Sequence, residues 1–104
     1  MRGVSDNITP RIRGLIERMG HIGTQMWRAA ADGYVDRDPE IAARLNERDD
    51  ELDELHSSLT AELVTGQLSV PIALEMALVA RFFERLGDHA VNIGERIRYI
   101  AEGA

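Results

Sequence analysis

The sequence predicts an all-α chain, folded as an up-down-up antiparallel three-helix bundle. Three observations lead there. Apolar residues recur at spacings of three and four through three long stretches. Two short segments rich in Pro, Gly, Asp and Ser separate those stretches. No alternating strand pattern competes, and only five residues are aromatic (one Trp, two Tyr, two Phe), which disfavours a sheet sandwich.

Helix 1 is expected over about residues 10–34. Thr9 supplies an N-cap oxygen, and Pro10 suits the first helical position because its missing N–H would have no partner there. Ile12, Leu15, Ile16, Met19, Ile22, Met26 and Trp27 fall on one side, with Trp27 read as a core anchor. Gly14, Gly20 and Gly23 weaken the helix and imply close approach of a neighbour. Residues 1–8 read as a frayed lead-in.

Helix 2 is expected over about 39–64, with Asp38 as cap and Pro39 opening it. Its apolar line is Ile41, Leu45, Leu52, Leu55, Leu59 and Leu63. Asp49 interrupts the line, Asp53 follows one turn later, and both sit on its flank, about 60–100° from the centre. His56 falls on the stripe and reads as a hydrogen-bonded core histidine. Gly66 fits a C-terminal cap and Ser69 an N-cap ahead of Pro71. Helix 3 is expected over about 71–101, with a seam of Ile72, Met76, Val79, Phe83, Leu86, Ala90, Ile93, Ile97 and Ile100. Glu84 and Asp88 fall about 130–170° from that seam, beside the small residues Ala73, Ala77, Ala80 and Gly87. That ridge would admit another helix, or an ion with its waters.

At 104 residues the chain is expected to be one domain over 1–104. Without cysteine it has neither a disulfide framework nor a thiolate zinc site. No apolar run reaches membrane-spanning length, so the chain is not expected to be membrane-embedded. The start lacks the apolar centre of a secretion signal, which makes the cytoplasm the expected compartment. A net charge of −6 argues against nucleic acid and for cations or basic protein surfaces.

Two carboxylate pairs could carry chemistry: Asp49 with Asp53, and Glu84 with Asp88. Four-residue spacing puts each pair on one helix face, and hard or borderline cations take such ligands. Asn92 extends the second pair by one turn. The competing reading is a solvated acidic face, with Arg81 and Arg85 each three residues before an acid they could neutralise. No histidine stands in a Glu-x-x-His arrangement with these acids, so a di-iron oxygenase is not indicated. No nucleophile has a base at useful spacing, and no glycine loop is fit to cradle phosphate.

The run Phe83-Glu84-Arg85-Leu86-Gly87-Asp88-His89-Ala90-Val91-Asn92-Ile93 resembles the helix motif Glu-Arg-x-x-Asp-x-x-x-Asn of the PhoU family, regulators of phosphate uptake. Asp49-Asp50-Glu51-Leu52-Asp53 is similar to the family's other motif, an acid followed four residues later by Asp. The resemblance covers helices 2 and 3, and helix 1 by length and pattern. Family members usually carry two three-helix repeats, and this chain looks most like the C-terminal one. The resemblance implies a non-enzymatic adaptor between a phosphate transporter and a sensor histidine kinase, suppressing starvation signalling when phosphate is plentiful. It implies iron or zinc held by Asp49, Asp53, Glu84 and Asp88, with Asn92 as an additional ligand. A homodimer could stand in for the second repeat. The alternatives are a carboxylate metal-binding bundle protein, including a metalloenzyme, and a plain helical interaction domain.

Overall fold

A computed structural model describes residues 7–103, so residues 1–6 of the expected lead-in lie outside the described residues. Three helices form: α1 Pro10–Asp36, α2 Ile41–Thr65 and α3 Val70–Ala101. They pack pairwise against one another into a rod of 62 × 18 × 17 Å. Contacts fix the directions. Arg11 reaches Glu62, Arg18 reaches Glu51 and Gln25 reaches Arg48, so α1 and α2 run antiparallel. Gly87 sits against Leu52 and Gly94 against Leu45, so α2 and α3 are antiparallel too. Gly20 and Gly23 meet Phe83 and Leu86, which leaves α1 and α3 parallel. The result is the up-down-up bundle that short turns dictate.

The caps explain where the helices begin and end. Thr9 Oγ1 accepts the Ile12 N–H at 3.2 Å, and Pro10 follows in the first turn. α1 runs to Asp36, past the expected end at Tyr34, and closes on Arg37 in the left-handed region (φ 54°), whose N–H donates to the Gly33 carbonyl. At the next turn Asp38 is not the N-cap and Pro39 is not helical. α2 starts at Ile41, Glu40 holds the cap position without a side-chain bond, and Asp38 acts inside the turn instead. There Asp38 Oδ1 accepts the Glu40 N–H at 3.0 Å and Oδ2 takes Arg44 at 2.7 Å. Gly66 occupies the C-cap of α2, where a Cβ would lie 2.6 Å from the Glu62 carbonyl. Ser69 takes the N-cap position of α3, but its hydroxyl makes no capping bond.

The core is a line of Ile12, Met19, Ile22, Met26, Leu45, Leu52, Leu59, Ala80, Ala90 and Ile97. Three expectations about it are corrected. Trp27 is 45% exposed, because it stands one residue, about 100°, round the helix from buried Met26. Gly14 faces open space, whereas Gly20 and Gly23 admit Phe83 and Leu86. The buried face of α3 is rotated from the expected seam: Val79 and Ile100 are exposed, and Ala80, Gly87, Ala90, Gly94 and Ile97 are buried. Small residues therefore line the inside of α3, not an outer ridge. They face α2, whose leucines approach the bare α3 backbone. A different stripe is left outside, with Val70, Leu74, Leu78 and Phe82 each 60–70% exposed.

Candidate metal centre

The α2–α3 register brings three of the four acids together. Leu52 seats on Gly87, where a Cβ would come within 2.7 Å of its Cδ2. Residues flanking Leu52 on α2 therefore face residues flanking Gly87 on α3. Asp49 Oδ1 lies 3.2 Å from the same point, so its carboxylate stands over the glycine backbone. One carboxylate oxygen from each of Asp49, Asp53 and Glu84 lies within 4.8 Å of the other two. These residues converge, whereas the angular reading put Glu84 opposite the core. The rotation of α3 is the cause: the Glu84 side chain is 18% exposed and turned toward α2. Asp88 is exposed and stays outside the trio, although its charge still acts on Asp49 and Glu84. Asn92, one turn further, is exposed.

The competing salt-bridge reading fails on geometry. Among the described residues, neither Arg81 nor Arg85 pairs with these acids. The acidic run of α2 is instead divided. Glu51 takes Arg18 at 2.7 Å and Arg48 at 3.1 Å, which pull its carboxyl below the usual range, Arg18 foremost. Among the described residues Asp49 and Asp53 have no basic partner, and Asp49 Oδ1 is buried with no hydrogen bond.

The electrostatics follow. Burial first, then the charges of Asp53, Asp88 and Asp50, push Asp49 up to about 6. Burial first, then a hydrogen bond with Asp53 and the charges of Asp53, Asp49 and Asp88, push Glu84 up to about 7. Three converging carboxylates fit a divalent cation as a donor set. The cation-free protein should show the strain in its pH profile. Both folded values exceed the unfolded ones, so the folded state binds more protons. This contribution to stability is complete below about pH 4 and is lost as pH rises through 6 and 7. With chelator present, the melting temperature should fall by about 5 °C between pH 5 and pH 8, allowing for solvent screening. A flat or rising profile would contradict this arrangement.

His56 is the residue that sequence reasoning misplaced. It is not a core histidine. Its side chain is 38% exposed, and Nδ1 lies 3.3 Å from Glu84 Oε2. Its partner lies on α3, so no spacing along α2 signals the contact.

The profile of the PhoU domain matches residues 16–97, a span holding all four acids and His56. The chain belongs to the PhoU family. It is 36% identical over 94 residues to phosphate-specific transport system accessory protein PhoU homolog 1 of Mycobacterium tuberculosis (strain ATCC 25618 / H37Rv), covering 88% of this chain and 42% of the relative. It is 38% identical over 96 residues to the PhoU homolog of Rhizobium meliloti, covering 88% and 40%. With the PhoU homolog of Deinococcus radiodurans it shares 39% identity over 85 residues, covering 78% and 40%. The chain thus spans about two fifths of the length of these PhoU relatives. No solved structure matches. Among the described residues, no helix is long and apolar enough to cross a membrane.

Proposed function

We propose that this chain is a phosphate-transport accessory unit, acting as an adaptor that restrains phosphate uptake and phosphate-starvation signalling. Its partners in this reading are a phosphate transporter and a sensor histidine kinase, met on the cytoplasmic side. The observation that carries the reading is the family match over residues 16–97, a span that includes Asp49, Asp53 and Glu84, the three acids whose carboxylates converge. The printed names of the relatives, phosphate-specific transport system accessory proteins, support the transport link.

In the same reading Asp49, Asp53 and Glu84 hold iron or zinc, with Asp88 and Asn92 at the exposed rim. The cation cancels the like charges of the three carboxylates, which ties α2 to α3 and stiffens the face offered to partners. The site has a binding role, not a catalytic one. A second three-helix unit or a second copy of the chain covers the outer stripe of α3. Val70, Leu74, Leu78 and Phe82 support this, because steps of four residues form a ridge that packs into the groove of another helix.

The test is direct binding of the chain to the purified transporter and to the kinase from one organism. The expected result is saturable binding to at least one of them, weakened tenfold or more by Asp53→Asn with Glu84→Gln. Absence of binding to both partners would contradict the adaptor role.

A further inference from the structure

We infer that the groove between α1 and α2, which Arg28, Arg44 and Arg48 surround, binds an oligophosphate anion, with pyrophosphate as its simplest form. The inference stands on this groove alone. The acid cluster faces α3, on another side of α2. Three features point to the anion.

The first is the charge of the lining. The groove encloses about 480 Å³, and three arginines line it, Arg28 from α1 with Arg44 and Arg48 from α2. Asp32 is the one acid among the lining residues, so positive charge prevails here in a chain of net charge −6. The second is the state of the guanidiniums. Arg48 Nη2 donates to Gln25 Oε1 at 2.9 Å and Nη1 to Glu51 Oε1 at 3.1 Å, which holds the group across the gap between the helices. Arg44 Nη2 donates to Asp38 at 2.7 Å. Guanidiniums have more N–H donors than these bonds use, and Arg28 has no polar partner among the described residues. The third is the floor. Buried Met26 and Leu45 keep water from that side, which strengthens attraction between charges above it. Arginine matches phosphate oxygens bidentately. Arg44 and Arg48 stand one turn apart, with Arg28 across the groove. A flat carboxylate offers its oxygens along one edge, whereas a tetrahedral phosphoryl group offers them to both helices. The volume falls within the range of small-molecule sites, about 300–1,000 Å³, and exceeds what one orthophosphate needs.

The test is a titration of the full 104-residue chain with sodium pyrophosphate at fixed ionic strength. Chelator is present, so that no metal carries the anion to the acid cluster. Affinity is read by calorimetry, and the arginine Nε–H signals are followed by NMR. Arg81 and Arg85, exposed on α3, serve as internal controls. Pyrophosphate should bind saturably and move the signals of Arg28, Arg44 and Arg48, leaving Arg81 and Arg85 unchanged. Arg28→Ala should weaken it about tenfold or more, and Asp32→Asn should tighten it about threefold. Orthophosphate should bind about tenfold more weakly than pyrophosphate.

Adenosine diphosphate separates the sources of the anion. Binding as tight as that of pyrophosphate, or tighter, assigns the groove to an esterified diphosphate, and weaker binding assigns it to the inorganic ion. Absence of saturable binding of both by the folded wild-type chain would overturn the inference. Orthophosphate binding as tightly as pyrophosphate would overturn the oligophosphate assignment. Equal weakening by Arg28→Ala and Arg81→Ala, or signal shifts spread evenly over the arginines, would also overturn it, because diffuse attraction to surface charge would then account for the binding. Should Arg28→Ala not fold by circular dichroism, Asp32→Asn and the wild-type arginine signals decide.

Discussion

Gly94→Leu should lower the melting temperature by about 15 °C, corresponding to about 3 kcal/mol of overpacking. Gly94 is buried at the α2–α3 contact, and a Cβ there would lie 2.9 Å from Leu45 Cδ1 and 3.2 Å from Ala42 Cα. The leucine tip can rotate aside, but the Ala42 backbone cannot without moving α2. Gly87→Ala makes an informative partner. Its Cβ would meet Leu52 Cδ2 at 2.7 Å, a flexible end, and the helix gains about 1 kcal/mol of propensity in return. That variant should therefore melt within a few degrees of wild type. If Gly94→Leu melted like wild type, the close α2–α3 approach described here would be wrong.

The second large effect comes from the acid cluster. Asp53→Asn with Glu84→Gln removes two charges from three converging carboxylates while keeping side-chain shape. With chelator at pH 8, the double variant should melt about 5–10 °C above wild type, because like charges no longer face one another. The order should reverse when the metal is present. A cation that binds only the folded wild type raises its stability in proportion to the logarithm of the free ion concentration, and the variant lacks the ligands. A double variant less stable than wild type in chelator would contradict this, because the contacts the carboxylates make, Glu84 Oε2 with His56 Nδ1 among them, would then outweigh the repulsion between them.

Much of this was legible in the sequence, and what was not has a physical cause. Apolar spacing located all three helices, and Thr9, Pro10 and Gly66 marked ends that the structure keeps. The capping rule failed at Asp38, where a side chain satisfies the turn rather than the helix start. The seam of α3 failed for another reason. Large apolar residues were taken to mark the core, yet the helix buries Ala80, Gly87 and Gly94, seven residues apart, and meets α2 at the two glycines. Close approach selects small side chains, so bulk and burial part company there, and Phe82 and Leu78 are left outside.

The same rotation hid the meaning of Glu84. A side chain placed opposite the core by angle becomes a partner of Asp49 and Asp53 once α3 turns. The four-residue spacing identified each pair, but only the register of Leu52 against Gly87 shows that Asp49, Asp53 and Glu84 meet. His56 was passed over because it lies on the α2 stripe, where a core histidine is the commoner outcome. Its neighbour is on another helix, and spacing along one helix cannot reveal that.

The central claim is that the two helices together hold a metal ion. The measurement that tests it most directly is the iron and zinc content of the untagged chain purified without chelator, beside the Asp53→Asn, Glu84→Gln double variant. The account predicts about one or more ions per wild-type chain and a loss of most of that metal in the variant. Equal metal content in the two proteins, or none in the wild type, would contradict it.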